Sequence, residues 1–427
     1  MKLRGLFLIL PIFGYCQDLI VSEIVYKGNT FTQGYIISRE IQHPLDAPLD
    51  SIMAKADRNR LINLRIFVDV NWRAIPLDNK NVRLEFVILE NNKFYGGRFV
   101  GGPMPGYEEK TGWSFGGGGM FKNFRGRNEL LSLGGMIGGK TTFGLSYLNP
   151  WITGDHVSLK ADIAKVVFHH SFLPYDVELK TVQLNMGRFF GNKKKISLGF
   201  EIEALNFKND TIKFSYQYFA PMGSFFYDTR DLYANPTKGV LFKQAFVSRV
   251  NLNGNIKNNL TWFQSYSIYK RLSNNGRIKP WILAWGFKTQ INFGIKDQNF
   301  ITSMGNSGSV RGWQYPNLIN YSNPEDGYRF GFHSMKTALE LRKVIIPRIP
   351  LANLYEFGMT LGAFIDMGVT TQNDFKDLLN LKPISGVGIT FQFQAPFVEV
   401  LRIDYGWGFY KGEQVDRGLH IATQHQI

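Results

Sequence analysis

Apolar and polar residues alternate with a period of two over much of the chain. Val157, Leu159, Ala161 and Ile163 alternate with Ser158, Lys160 and Asp162. Ile196, Leu198, Phe200 and Ile202 do the same against Ser197, Gly199, Glu201 and Glu203. So do Ile212, Phe214, Tyr216 and Tyr218 against Lys213, Ser215 and Gln217, and Ile389, Phe391 and Phe393 against Thr390, Gln392 and Gln394. Successive side chains of a strand point to opposite faces, so each segment predicts a strand with one greasy and one polar face. Each is about ten residues long, the length of a tilted strand crossing a bilayer. A soluble sandwich also alternates, but with shorter strands and without so much Phe and Tyr on its outer face. Residues 111–427, at roughly 20 per strand and loop, predict about 16 strands. The expected fold is mostly β: a 16-stranded transmembrane antiparallel barrel, its greasy face toward lipid.

Residues 18–91 have a different texture. Val21 to Tyr26 reads as a strand and Gly28-Asn29 as its turn. Thr32 can cap a helix carrying Tyr35, Ile36, Arg39 and Glu40, and Asp50 or Ser51 can cap a second helix running to about Leu64. Ile66 to Val70 and Val82 to Val87 alternate as strands. The order β-α-α-β-β predicts one small two-layer α+β domain ahead of the barrel. Residues 92–110 then read as a linker.

Composition narrows the class. Charged residues are 19%, aromatic residues 15% and glycines 44 of 427, which suits a β protein and excludes a disordered chain. Beyond the N-terminus no apolar run is long enough for a membrane-crossing helix. Lys2 and Arg4 precede the apolar run Leu6 to Phe13, and Gly14-Tyr15-Cys16 follows, so residues 1–16 read as a signal peptide cleaved after Cys16. Cleavage would remove the chain's one cysteine, leaving no disulfide or thiolate chemistry. It would also lower the formal net charge of +15 by two, to +13. For an exported chain, that charge points to anionic lipid or lipopolysaccharide rather than nucleic acid.

Several motifs carry little chemistry. Gly116, Gly117, Gly118 and Gly119 lack the Gly-Lys-Ser/Thr of a phosphate loop; in the first barrel strand they would weaken its pairing. His169-His170 has no third metal ligand nearby in sequence, and Lys193 to Lys195 reads as a solvated turn. No catalytic constellation, metal set or cofactor motif stands out.

Gly28-Asn29, Thr32, Ile36, Arg39-Glu40-Ile41, Leu49, Asp57, Leu61, Phe67-Val68, Val70, Val87 and Glu90 together resemble a POTRA domain, the polypeptide-transport-associated module. Asn123-Phe124-Arg125-Gly126-Arg127-Asn128 and Tyr147 to Trp151 are similar to early-barrel motifs of the BamA/TamA insertase family. A strand-end motif of that family is matched by Asp228, Arg230, Asp231, Pro236 and Gly239. Val310-Arg311-Gly312-Trp313, after Gly305-Asn306, resembles the tip of the family's sixth extracellular loop. Glu340-Leu341-Arg342, Gly362 to Gly368 and Arg402 to Gly406 follow in family order, so the resemblance spans nearly the whole chain.

An arginine carried by a loop into a barrel lumen would be a costly unpaired charge. A carboxylate on the inner wall offsets that cost, and Glu340 and Asp366 are both candidate partners of Arg311. The resemblance implies a non-enzymatic outer-membrane protein of a Gram-negative-type cell, with its POTRA domain in the periplasm. It implies client membrane or secreted polypeptides as partners, with room for periplasmic accessory proteins, and no cofactor. The expected activity is insertion, assembly or translocation of clients through POTRA capture and opening of the seam between the first and last strands. In that seam, the strand carrying Gly116 to Gly119 would meet Leu419 to Ile427. The alternative is a secretion pore for one dedicated soluble partner.

Overall fold

The computed structural model describes residues 19–91, 93–94, 97–103, 106–108, 112–153, 156–169, 175–211, 213–254, 258–272, 279–296, 301–314, 316, 327–351, 355–394, 400–422 and 427. The signal-peptide reading of residues 1–16, and Gln424 to Gln426 of the expected seam, lie outside them.

The N-terminal domain consists of β1 (Ile20–Lys27), α1 (Gly34–Ser38), β2 (Ala47–Pro48), α2 (Ser51–Asn63), β3 (Asp69–Pro76) and β4 (Asn81–Leu89). Its sheet runs β2-β1-β4-β3, with β1 and β4 parallel. Val21, Ile37, Ala54, Leu61, Val70, Val82, Leu84 and Phe86 are buried between sheet and helices. Asp50 caps α2, its carboxylate accepting the N–H groups of Ile52 and Met53 at 2.8 and 3.1 Å. The two-residue β2, too short to show a period, was not legible in the sequence.

Thr32 does not cap α1. Gln33 holds the cap position without a side-chain bond. The Thr32 N–H instead donates to Glu90 at 3.0 Å, beside the Phe31 N–H at 2.9 Å, tying this turn to the chain just after β4.

The barrel begins earlier than its alternation suggests. Its strands are β5 (Phe99–Pro103), β6 (Gly106–Glu108), β7 (Gly112–Phe124), β8 (Glu129–Gly138), β9 (Thr141–Asn149), β10 (Val157–His169), β11 (Asp176–Phe190) and β12 (Lys194–Lys208). They continue as β13 (Lys213–Asp228), β14 (Gly239–Asn251), β15 (Asn259–Arg271), β16 (Trp281–Gly294), β19 (His333–Leu351), β20 (Tyr355–Thr371), β21 (Ile384–Gln394), β22 (Leu401–Tyr410) and β23 (Glu413–Ala422). Two short strands, β17 (Thr302–Ser303) and β18 (Phe330–Gly331), pair with each other inside the long β16–β19 connection. β5 and β6 both pair with β7 in one register, Pro103 opposite Gly117 and Gly106 opposite Ser114, and count as one strand, so the closed antiparallel barrel has sixteen strands.

Two expectations need correction. The stretch 92–110 is not simply a linker, because it contains β5 and β6. Gly101, Gly102 and Pro103 interrupt the apolar alternation that would have marked a strand there. Consequently the barrel starts at Phe99, and Gly116 to Gly119 lie on its second strand. Gly117 to Gly119 pair with Pro103 to Gly101 on one side, all four pair with residues of β8 on the other, and the closing strand β23 neighbours β5.

Over most of the wall, odd or even positions turn their apolar side chains outward, as Ile163, Val182, Leu198, Ile202, Ile389 and Ile421 do. The domain docks on one end of the barrel. The long β16–β19 connection starts from the other end and folds into the lumen.

Candidate functional site

The β16–β19 connection carries Arg311 to the inner wall of β19–β22. Arg311 is fully buried. Its Nε and Nη2 donate to the two oxygens of Asp366, each at 2.7 Å, and its backbone N–H donates to Asp366 at 3.0 Å. Its Nη1 lies 2.6 Å from Glu340 and 3.6 Å from Asp404. The guanidinium stacks over Phe364, 3.8 Å from the ring centroid. Both candidate carboxylates therefore meet Arg311, with the bidentate geometry belonging to Asp366.

The cluster extends further. Glu340 also accepts from Arg342 at 2.5 Å, and Asp404 accepts from Arg402 Nε at 2.6 Å. Arg402 Nη2 donates to the Ser307 carbonyl of the loop at 2.6 Å. Three guanidinium groups and three carboxylates, all buried, form a network without net charge across β19, β20, β22 and the loop. Mutual pairing is what makes six buried charges tolerable. Arg342, Arg402 and Asp404 were not singled out as lumen residues from the sequence. A signal existed: positions two apart on a strand share a face, so Glu340 with Arg342, and Arg402 with Asp404, had to face the same way.

Val310, Gly312 and Trp313 complete the loop's seat. Val310 and Trp313 are buried with Met304 and Ile384. Trp313 Nε1 donates to the Ser385 carbonyl at 2.8 Å, and Arg329 stacks over its ring at 4.9 Å. The Gly312 N–H donates to His420 Nε2 at 3.1 Å. Gly312 has φ +85°, and a side chain there would press on the Trp407 backbone within 2.7–2.9 Å. The wall beneath is also glycine: a Cβ on Gly386 would overlap the Arg311 carbonyl, and one on Gly408 would lie 2.7 Å from the Trp313 ring.

At the domain end, the strand-end motif forms the β13–β14 turn. Asp228 accepts from Arg230 Nη2 at 2.8 Å, while Asp231 accepts from the Thr237 N–H at 2.8 Å and the Leu232 N–H at 3.0 Å. Pro236 is buried beside Thr237. Gly239, with φ +114°, passes too close to the Thr229 carbonyl for any side chain. This turn grips the N-terminal domain. Leu232 packs against the domain's core, and Asn63 donates to the Asp231 carbonyl at 3.3 Å while accepting from the Tyr233 N–H at 3.0 Å.

Asn123, from the early-barrel motif, donates to Thr32 Oγ1 at 2.7 Å, and the Gln33 N–H donates to the Gly126 carbonyl at 2.9 Å. Arg39 stacks over Trp151 at 4.4 Å. A cavity of about 580 Å³ lies within this junction, lined among others by Arg39, Glu40, Arg60, Trp151, Tyr233 and Arg348. Burial there lifts the Glu40 carboxyl above its ordinary range despite Arg39 and Arg60, and pushes the Tyr233 hydroxyl up to about 12.

Other sequence features stay apart from these sites. Gly116 to Gly119 lie on β7, separated from β22 of the charged network by β23 and by the strand formed by β5 and β6. His169 faces Asp176 at 3.0 Å, and His170 lies outside the described residues. Among the described residues no group of His, Cys, Asp and Glu is placed to hold a metal ion.

A sixteen-stranded barrel with a buried loop arginine and a docked N-terminal domain defines a class of outer-membrane proteins. Residues 123–424 match the Omp85 superfamily domain, and the chain belongs to that superfamily. Its members are outer-membrane β-barrels that insert or transport polypeptides, and are not enzymes. No curated protein sequence matches the chain.

Among solved structures, the chain is similar to BamA from Haemophilus ducreyi lacking POTRA domains 1–3. That match has a TM-score of 0.54 and 18% identity, over 93% of this chain and 83% of that one. It is also similar to CdiB from Escherichia coli, with a TM-score of 0.58 and 12% identity over 95% and 75% of the two chains. CdiB from Acinetobacter baumannii gives a TM-score of 0.50 at 14% identity, over 95% and 74%. At these identities the likeness is one of fold.

Proposed function

We propose that this protein assists the insertion or assembly of β-strand-rich polypeptides in the outer membrane. In this reading the N-terminal domain is a POTRA domain in the periplasm. Its sheet ends in β3, an eight-residue edge strand on which an extended client can pair by β-augmentation. The greasy outer wall meets lipid, and the basic charge of the chain favours anionic headgroups.

The observation that carries the reading is the glycine-rich start of the barrel beside its closing strand. β5 and β6 stand between β7 and β23, and Gly101, Gly102 and Pro103 of β5 pair with Gly119, Gly118 and Gly117 of β7. A seam that opens there exposes ladder groups that a client strand can template on. Glycines on β5 and β7 add few side-chain contacts to hold the pairing.

The test is to lock the seam. One cysteine goes into Phe99–Pro103 and one into Glu413–Ala422, and the barrel is cross-linked by oxidation. The locked barrel is expected to stay folded, shown by heat-modifiable migration, and to stop inserting client barrels into liposomes until reduced. Normal insertion by the locked barrel would remove lateral opening from the mechanism.

A second reading, export of a dedicated soluble partner through the lumen, is supported by the fold likeness to CdiB. It requires the Arg311 loop to leave the lumen. A locked seam with retained export would favour it.

A further inference from the structure

Strands β10 to β13 run past their neighbours β9 and β14 at the end away from the N-terminal domain, and their polarity inverts there. Nearer the middle of the wall, Ile163, Val182, Ile202 and Phe219 are neighbours in register and face outward. Asp162, Gln183 and Glu201 form an adjacent row, facing inward. Two residues farther out the outward row is Lys165, Lys180, Ala204 and Gln217, and the last is His169, Asp176, Lys208 and Lys213. Lys165 and Lys180 both pair with Glu178 on that outer face, at 2.9 and 2.7 Å. This surface is built for water.

The inner face of the same projection is apolar. Its two rows are Val166, Leu179, Leu205 and Tyr216, then Phe168, Val177, Phe207 and Phe214. Phe207 stacks on Phe214 with centroids 4.6 Å apart, and Tyr175 closes edge-on over both at 5.3 and 5.7 Å. The alternation of 212–218 thus has the opposite sense to the one expected: within the described residues its aromatic positions face the barrel mouth and its polar positions face outward. A period of two shows that the faces differ, not which medium each meets.

This sheet ends on an open edge. β14 follows β13 only as far as Tyr218 opposite Asn251, with one further bond from the Leu252 N–H to the Gln217 carbonyl at 2.8 Å. Backbone groups of alternate residues point to the same side of a strand, so those of Lys213 and Ser215 also point there. Among the described residues nothing pairs with them on that side. Phe214 and Tyr216, beside the edge, are only half-buried.

We propose that this projection binds an extended polypeptide segment as a fifth strand on the edge of β13. Its chemistry follows from the two faces. Toward the barrel mouth the segment presents aromatic or branched apolar residues, which extend the rows ending in Phe214 and Tyr216. On the outer face it places an acidic residue opposite Lys213. The outer row runs His169, Asp176, Lys208, Lys213, so Lys213 faces a like charge on its paired side and gains an opposite one from the segment. The surface would receive a chain at the barrel's far mouth whichever way it arrived, so it does not depend on the choice between insertion and export.

The probe is a fluorescein-labelled decapeptide alternating Tyr and Val with Glu and Ser, titrated against the full-length protein in detergent and read by anisotropy. Ser215→Pro, which removes an edge N–H, is expected to weaken binding by about tenfold. Lys213→Glu, a surface change that leaves the fold intact by heat-modifiability, is expected to reverse the preference between this peptide and its Lys-for-Glu counterpart. A scrambled peptide of equal composition is expected not to bind. Equal binding of the scrambled peptide, or an unchanged preference in Lys213→Glu, overturns the proposal.

Discussion

Glycine is dense in two arcs of the barrel, β5–β8 and β20–β23, and it serves different ends in each. In the first arc Gly102, Gly117, Gly118 and Gly134 face one another across neighbouring strands, while Gly101 and Gly119 leave room for the Phe99 ring. A Cβ on Gly117 would lie 3.3 Å from the Gly102 carbonyl, and one on Gly134 would lie 3.3 Å from Gly118 Cα. In the second arc the glycines face the lumen loop, and Gly386, Gly406 and Gly408 form the floor under Arg311 to Trp313. One arc gives up side-chain contacts between strands, while the other gives up side chains to admit a tightly held loop. A glycine-rich strand is therefore weak or strong according to what fills the space above it.

The largest effect is expected where the loop is held. Arg311→Ala leaves Asp366 buried without its cation and Glu340 with only one of its two, and should cost about 3–5 kcal/mol. Heat-modifiability of the purified barrel reports the loss. Asp366→Asn should mimic it, and the double variant should be no worse than the more severe single one. Because Glu340 serves both Arg311 and Arg342, Glu340→Gln should be comparably damaging rather than mild. Additive effects of Arg311→Ala and Asp366→Asn would show that the two side chains act separately.

Next come the glycines themselves. Gly386→Ala drives a methyl into the Arg311 carbonyl and should destabilise by roughly 1–3 kcal/mol, as overpacked cores do. Gly117→Ala meets only the Gly102 carbonyl, at 3.3 Å, and should change stability by less than Gly386→Ala does, within about 1 kcal/mol. If seam opening is required, the stiffer backbone of Gly117→Ala should also slow client insertion into liposomes. Equal effects of the two substitutions on stability would break the comparison.

The smallest effect is expected at the docking turn. Asn123→Ala removes the bond to Thr32 and should loosen the N-terminal domain by about 1 kcal/mol. Limited proteolysis between domain and barrel should then become faster, with the barrel itself unchanged.

The sequence made the barrel legible because most strands differ sharply in their two faces. It hid β5 and β6 because Gly101, Gly102 and Pro103 carry no alternation to read. It misplaced the apolar face of Phe214 to Tyr218, since period two is symmetric and only the surrounding medium decides which side is in. The Arg311 site was accessible through one loop arginine and two carboxylates. Its full size was not, because Arg342, Arg402 and Asp404 lie far apart in the chain and meet only once β19, β20 and β22 are laid side by side.

Leu232 packs against the core of the N-terminal domain, although it belongs to a turn between two mid-barrel strands. The domain is first in the chain, yet part of its lining is made only when β13 and β14 have formed. Its final packing is therefore tied to barrel completion: until β13 and β14 have formed, the part of the domain's core that Leu232 covers stays open to water.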